Sequence, residues 1–472
     1  MDYLTIVNSN HPLTMSEAVR LHLEQANRLE QMGALEEALE NLGDALSLTR
    51  DKTLQASIHN RMGLILHFGK QKLEDARDHY MKALAIFREM SSQHGDSDHR
   101  DDHDYFGRWI AVANVANNLG LVLFDQGNLD QAKECFQFAV EVFEEDMPES
   151  LLLATSYTNV GKLREVEGEI EDALELYDLG LRIRETLQPQ SLLVASSNNL
   201  IGNLLQSLGD PEEALEHYRR CVVIVEREAP NSGKAAIAFA NVASVLKQMD
   251  DIDGSLEYFQ RAMLVQSKED QSYLHSHIAS LLHLRGDLLR AEQYYETAME
   301  IEKQKLADPL RIASLYINIG SVLHDKGDLK TSIDMYHRAM AIYSNGHDDT
   351  QSCTSTCLNN IGCIKQDLGD LKGAIDCFRR ALVIRIGMDQ DSLQAGIIYN
   401  NVGTVSQDLG DFDEAADFYT LAMIIFERRI PDSLSVAIIY NNIGTLLQEM
   451  GDIPTALKHY RLALTIENRD AP

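Results

Sequence analysis

The sequence predicts an all-α protein, an array of about eleven helix pairs, and three observations carry that expectation. The stretch Tyr399–Ala422 reads as a helix, a turn and a second helix, and its pattern returns from one end of the chain to the other. A small residue recurs at Ala26, Gly63, Gly120, Gly161, Gly202, Ala243, Ala279, Gly320, Gly362, Gly403 and Gly444. Twelve residues after each, thirteen in the second unit, stands alanine or serine, from Ala38 to Ala456, and four further on a ring, from Tyr80 to Tyr460. Only Leu42, in the first unit, departs from the ring column.

The tenth unit shows why these residues form these elements. Ile398, Val402, Val405 and Leu409 fall at i, i+4, i+7 and i+11, one apolar face of a helix. Gly403 leaves room for a close neighbour, and Gly410 ends the helix by taking the left-handed conformation. Asp411 is expected to cap the second helix, with Glu414 completing a capping box. Ala415, Tyr419 and Ala422 then face inward, the ring filling the space between the helices. One such pair cannot bury its apolar surface alone, so it needs neighbours.

This spacing resembles the tetratricopeptide repeat, and the match runs over about residues 16 to 468. The usual interval is 41 residues, Gly403 to Gly444 for example, rather than about 34. Links such as Asp432–Ala437 and Glu149–Ala154 recur, as in the longer repeats of kinesin light chains. The resemblance implies a right-handed superhelical solenoid whose first helices line a concave surface that holds peptides. Kinesin light chains also carry an N-terminal heptad coiled coil and a basic groove, and this chain has neither.

Along the chain, residues 1–15 read as a short tail and 16–92 as two irregular units, the second with an extra residue at Lys70-Gln71-Lys72. Residues 93–108 are an acidic His/Asp loop that lengthens the interval between units to 57. Nine units in one continuous solenoid are expected over 109–468, restarted at Trp109, whose ring is expected to pack rather than to bind a partner. Asp210-Pro211-Glu212-Glu213 is the fullest cap.

With 42 basic and 73 acidic side chains the net charge is −31, which repels phosphate backbones and anionic lipid. Neither nucleic acid nor a membrane is the expected partner. The six cysteines follow no disulfide spacing, and no signal peptide or membrane-spanning run is apparent, so a cytoplasmic location is expected.

Candidate chemistry is sparse. His94, His99 and His103 among aspartates offer metal-binding side chains, but a solvated acidic loop explains them better. Gly63–Lys70 misses the phosphate-binding loop by one residue in spacing, and Asp251–Gly254 only echoes a calcium loop. No catalytic triad can be assembled, so no enzyme, cofactor or metal is expected.

The candidate site is a polar stripe on the first helices of the last three units. It comprises Asn359, Gln366 and Asp367; Asn400, Thr404, Gln407 and Asp408; and Asn441, Thr445, Gln448 and Glu449. Carboxamides both donate and accept, so they suit a peptide backbone, and the acids would select basic segments. One position on, Asn318, Asn360, Asn401 and Asn442 occupy the column of the family's structural asparagine. The expected function is a protein–protein interaction scaffold. The alternatives are a cargo adaptor related to kinesin light chain, or a regulatory or accessory subunit of an enzyme complex. Weak self-association is expected through Thr455, His459, Leu462 and Ile466 of the last helix.

Overall fold

The computed structural model describes residues 15–92, 103–268, 271–305, 308–343, 351–431 and 433–468. They fall into two compact units, one ending at Pro230 and one beginning at Asn231. The first holds α1 (Met15–Gln31), α2 (Leu35–Leu48), α3 (Lys52–Leu64), α4 (Leu73–Ser92), α5 (His103–Asp125), α6 (Leu129–Asp146), α7 (Leu151–Glu167), α8 (Ile170–Leu187), α9 (Leu192–Leu208) and α10 (Pro211–Glu228). The second holds α11 (Gly233–Gln248), α12 (Ile252–Val265), α13 (Ser272–Leu284), α14 (Leu288–Gln304), α15 (Pro309–Asp325), α16 (Leu329–Tyr343), α17 (Gln351–Asp367), α18 (Leu371–Met388), α19 (Leu393–Asp408), α20 (Phe412–Arg429), α21 (Leu434–Glu449) and α22 (Ile453–Glu467). Odd-numbered helices open a pair and even-numbered ones close it. Each helix packs first on its pair mate, and within a unit each second helix packs next on the first helix of the following pair.

The recurrent small residue and the recurrent ring explain each other. A Cβ added to Gly403 would stand 2.8 Å from the Tyr419 ring, and one added to Gly362 would stand 2.5 Å from Phe378. Those rings are buried to within 1 % of complete. Where serine replaces alanine in the next column its hydroxyl is satisfied: Ser255 donates to the Ala243 carbonyl at 2.7 Å and Ser332 to Gly320 at 2.6 Å.

Turns follow the sequence with two instructive departures. Gly410 takes φ +84°, but at the equivalent turn after α11 Asp250 carries φ +63° with a side chain. The extra residue of the second unit is absorbed as a π-helical turn, Ile65–Gly69, at the end of α3, with Gln71 at φ +54° after it. A loop would have left the additional backbone groups without helical partners.

Caps divide by element. Serines open the links into several first helices, Ser150 accepting from Leu153 N–H at 3.1 Å, and aspartates open second helices, Asp210 accepting from Glu213 N–H at 3.1 Å ahead of Pro211. The expected capping box at Asp411 does not form. Asp411 makes no side-chain cap, and Glu414 is drawn instead to the Ser406 hydroxyl at 2.9 Å and to Arg379 at 2.6 Å. Ile398, Val402 and Val405 are buried as expected, whereas Leu409 lies past the helix end and is exposed.

Trp109 meets Phe138 edge-on at 6.2 Å. The expected loop 93–108 is shorter than its composition suggested, because residues 103–108 already belong to α5; the remainder, 93–102, and with it the metal reading, lies outside the described residues. Among the described residues no helix is long and apolar enough to cross a membrane, and the cysteines carry free thiols.

The last helix corrects one expectation. Ile466 is buried in the core, so it cannot share an open face with Leu462. Leu462 is exposed as expected, and so is a row of Ile453, Leu457 and Leu464, whose counterparts one unit earlier are Phe412, Ala416 and Met423. Those counterparts are packed into clusters that include residues of α21.

Candidate functional surface on the first helices

Within each unit the first helices of neighbouring pairs touch directly: α5 with α7, α13 with α15, α15 with α17, α17 with α19 and α19 with α21. A residue at a given register therefore meets its counterpart one repeat away, which sets up a ladder of polar rungs.

The carboxamide rungs come first. Asn401 Nδ2 donates to Asn359 Oδ1 at 2.9 Å, and Asn442 Nδ2 to Asn400 Oδ1 at 2.8 Å. The same bond joins Asn118 to Asn60 and Asn159 to Asn117 in the other unit, each at 3.0 Å. Where Ile317 stands in the accepting column, Asn360 turns instead to the Tyr336 hydroxyl at 3.2 Å. Both asparagine columns are thus structural: the oxygens of Asn359 and Asn400, expected to serve a ligand, are taken by the next repeat.

A second row lies two turns further along each helix. Gln366 Nε2 donates to Asp408 at 3.0 Å and Gln407 Nε2 to Glu449 at 2.9 Å. His324 meets Asp367 and His283 meets Asp325, both at 2.6 Å, and His67 meets Asp125 at 2.7 Å. In every case the residue four beyond the small position reaches the acid five beyond it in the next unit. Asp367, Asp408 and Glu449 remain exposed to solvent on their other side.

Tyrosines of the second helices complete the wiring. The Tyr419 hydroxyl lies 3.0 Å from Gln407 Oε1 and 3.3 Å from Thr404 Oγ1, and Tyr460 does the same with Gln448 at 3.1 Å and Thr445 at 3.3 Å. Burial raises the Tyr419 hydroxyl above its ordinary pKa, so it stays a donor. Thr404 and Thr445 also donate to the carbonyls of Asn400 and Asn441, at 3.0 and 2.9 Å. Asn441 reaches Glu467 at 3.3 Å. Within the stripe, burial and then the adjacent Asp367 push the Cys363 thiol up to about 11, which keeps it protonated. The stripe thus presents hydrogen-bonding side chains and exposed acids, and its thiol stays protonated.

The structure brings all eleven predicted residues into one surface, and it adds an apolar row that the stripe missed. Ile237, Tyr273, Ile397 and Ile438 are about half exposed, each six residues before the small position of its helix. Recurrence at a fixed offset was the signal for it.

A repeat built from paired helices, with small residue, ring and polar rungs in fixed register, defines an all-helical repeat protein. The family model described as "Tetratricopeptide repeat" matches residues 111–186, 193–268, 311–385 and 394–468, well over half of the chain. The chain belongs to that family. Solved structures to which it is similar include the APC/C hetero-tetramer Cut9–Hcn1, at 15 % identity and a TM-score of 0.44, covering 99 % of this chain and 96 % of that one. The apo form of RapI is another, at 17 % identity and 0.43, covering 60 % and 97 %. BtubC (BKLC) from P. vanneervenii is a third, at 19 % identity and 0.34, covering 58 % and 93 %. A search of curated proteins finds no match.

Proposed function

We propose that this tetratricopeptide-repeat protein, a protein–protein interaction scaffold by family, is non-catalytic and holds extended segments of partner proteins along the first helices α17, α19 and α21, preferring segments that carry lysine or arginine. The observation that carries this is the charge of the second row. Asp408 and Glu449 are each held by an uncharged glutamine, so their negative charge stands uncompensated at the surface, in register one repeat apart. Exposed Ile397 and Ile438 lie on the same helices and supply apolar contact. The net charge of −31 attracts basic segments over a longer range.

The test is a peptide library screened against the parent chain and against Asp367→Asn, Asp408→Asn, Glu449→Gln combined. These amides keep an acceptor for each rung and remove the charge. Basic hits that weaken about tenfold or more in the variant, with a shallower salt dependence, support the reading. Predominantly acidic hits, or hits indifferent to the variant, overturn it.

A further inference from the structure

One rung of the ladder is missing. Ser276 stands on α13 where Asn359 and Asn400 stand on α17 and α19, and Asn318 of α15 is the asparagine that would donate to it. Serine is too short to complete the bond. Among the described residues neither the Ser276 hydroxyl nor the Asn318 carboxamide makes a hydrogen bond. The space is a cavity of about 420 Å³ lined by Tyr273, Ser276, His277, Glu302, Arg311 and Asn318, among others.

Glu302 decides what the cavity can hold. It is 3 % exposed, and its Oε2 is buried with no hydrogen-bond partner. Arg311 reaches only to 3.8 Å from Oε1, beyond hydrogen-bond length, and its side chain is 70 % exposed at the rim. A buried carboxylate so poorly partnered is costly unless a cation with donors comes to it. An anion would be repelled by Glu302, and an apolar group would leave three polar groups unmet; among the lining residues Arg311, out at the rim, is the one charge that opposes an incoming cation. His277, stacked 5.1 Å from Phe259 and edge-on to Tyr273 at 4.2 Å, is neutral at physiological pH and adds no opposing charge. Tyr273, half exposed, offers its ring face to a cation.

We propose that this cavity receives the cationic side chain of a lysine or arginine of the bound partner segment, its N–H groups donating to Glu302 Oε2, Asn318 Oδ1 and Ser276 Oγ. The proposal rests on the reading that partner segments lie along the first helices α17, α19 and α21, and it extends that track to α13 and α15 with one side-chain subsite. A lysine or arginine stem fits beside Tyr273 while its head is desolvated against the carboxylate.

The experiment uses the full chain and short fluorescent peptides of glycine, serine and alanine with a central lysine, arginine, norleucine or glutamate, read by fluorescence polarisation. Lysine or arginine peptides are expected to bind about tenfold more tightly than norleucine ones, the scale of a charge-assisted hydrogen bond. Glu302→Gln should erase that ratio. Ser276→Asn, which rebuilds the rung to Asn318 and takes the Ser276 hydroxyl out of the cavity, should reduce it without lowering the melting temperature, so that loss of folding cannot mimic the result. Equal binding of lysine and norleucine peptides by the parent, a ratio that survives Glu302→Gln, or no peptide binding at all overturns the proposal. Affinity lost in the triple acid-to-amide variant with the ratio kept in Glu302→Gln overturns the pocket and leaves the surface reading standing. The ratio lost in Glu302→Gln with the triple variant silent does the reverse.

Discussion

Helices α13 and α15, set beside α17, α19 and α21, show one register position put to opposite uses. In the later repeats an asparagine accepts from the next asparagine at 2.8–2.9 Å and the first helices are tied together. Between α13 and α15 a serine breaks the tie, and a cavity holding a buried carboxylate takes its place. The packing of the pairs is the same in both regions. Two side chains differ: Ser276 stands where the later repeats have Asn359 and Asn400, and Glu302 where they have Arg385 and Phe426, and together they leave a cavity in place of a tie.

Breaking the tied region should give the largest effect. Asn359→Ala with Asn400→Ala leaves the Asn401 and Asn442 amides without acceptors, and a loss of about 2–4 kcal/mol is expected from two such deletions, read by urea unfolding. Unfolding that is unchanged in the double variant would mean the rungs are incidental.

Acid should weaken the open region. Burial, then the nearby Lys247, lowers His277 to about 4, so the unfolded chain binds the proton more readily than the fold does. The stability this site contributes is full above about pH 6.5 and is lost as pH falls from there toward 4, on the order of 2 kcal/mol. His59 behaves in the same way in the other unit, so the whole chain has this slope. His277→Phe should make it shallower, and an identical slope in the variant would remove His277 as a cause.

Gly362→Ala tests the packing that both regions share. The added Cβ would stand 2.5 Å from the Phe378 ring, and a loss of about 1–3 kcal/mol is expected from the overpacking. Pair seven already carries Ala279 at this position, so Ala279→Gly should cost less, mainly the backbone entropy of glycine, roughly 1 kcal/mol. Equal costs would show that the two pairs do not differ in the fit between the small residue and the ring.

Ser276→Asn sharpens the comparison from the other side: supplying the missing acceptor should raise stability by about 1 kcal/mol. The smallest effect is expected from Asn318→Ala, within about 0.5 kcal/mol, because no hydrogen bond is lost with it. A large cost at Asn318 would mean that the carboxamide already serves the fold.

Much of this was legible in the residues, and the failures share a cause. The small residue and ring columns report contacts inside one pair, so their spacing is local and readable, down to the extra residue that became a π-turn. Asn359, Asn400 and the paired acids looked free because their partners stand 42 residues away, on a helix whose rotation the sequence does not state. The same geometry redirected Glu414 from its expected cap to Arg379, buried Ile466, and left Ile453, Leu457 and Leu464 exposed on α22 along with Leu462.

By itself the sequence determined the family, the helix pairs and the turns, because each follows from periodicity, glycine and cap chemistry over a few tens of residues. The tertiary structure alone decided which polar groups are spent between repeats and which are left over. That choice depends on how closely neighbouring first helices approach and on the reach of each side chain across the gap. Asn401 spans it to Asn359 and Asn318 fails to span it to Ser276, while Glu302, on a second helix, is revealed as the floor of a cavity that no motif marks.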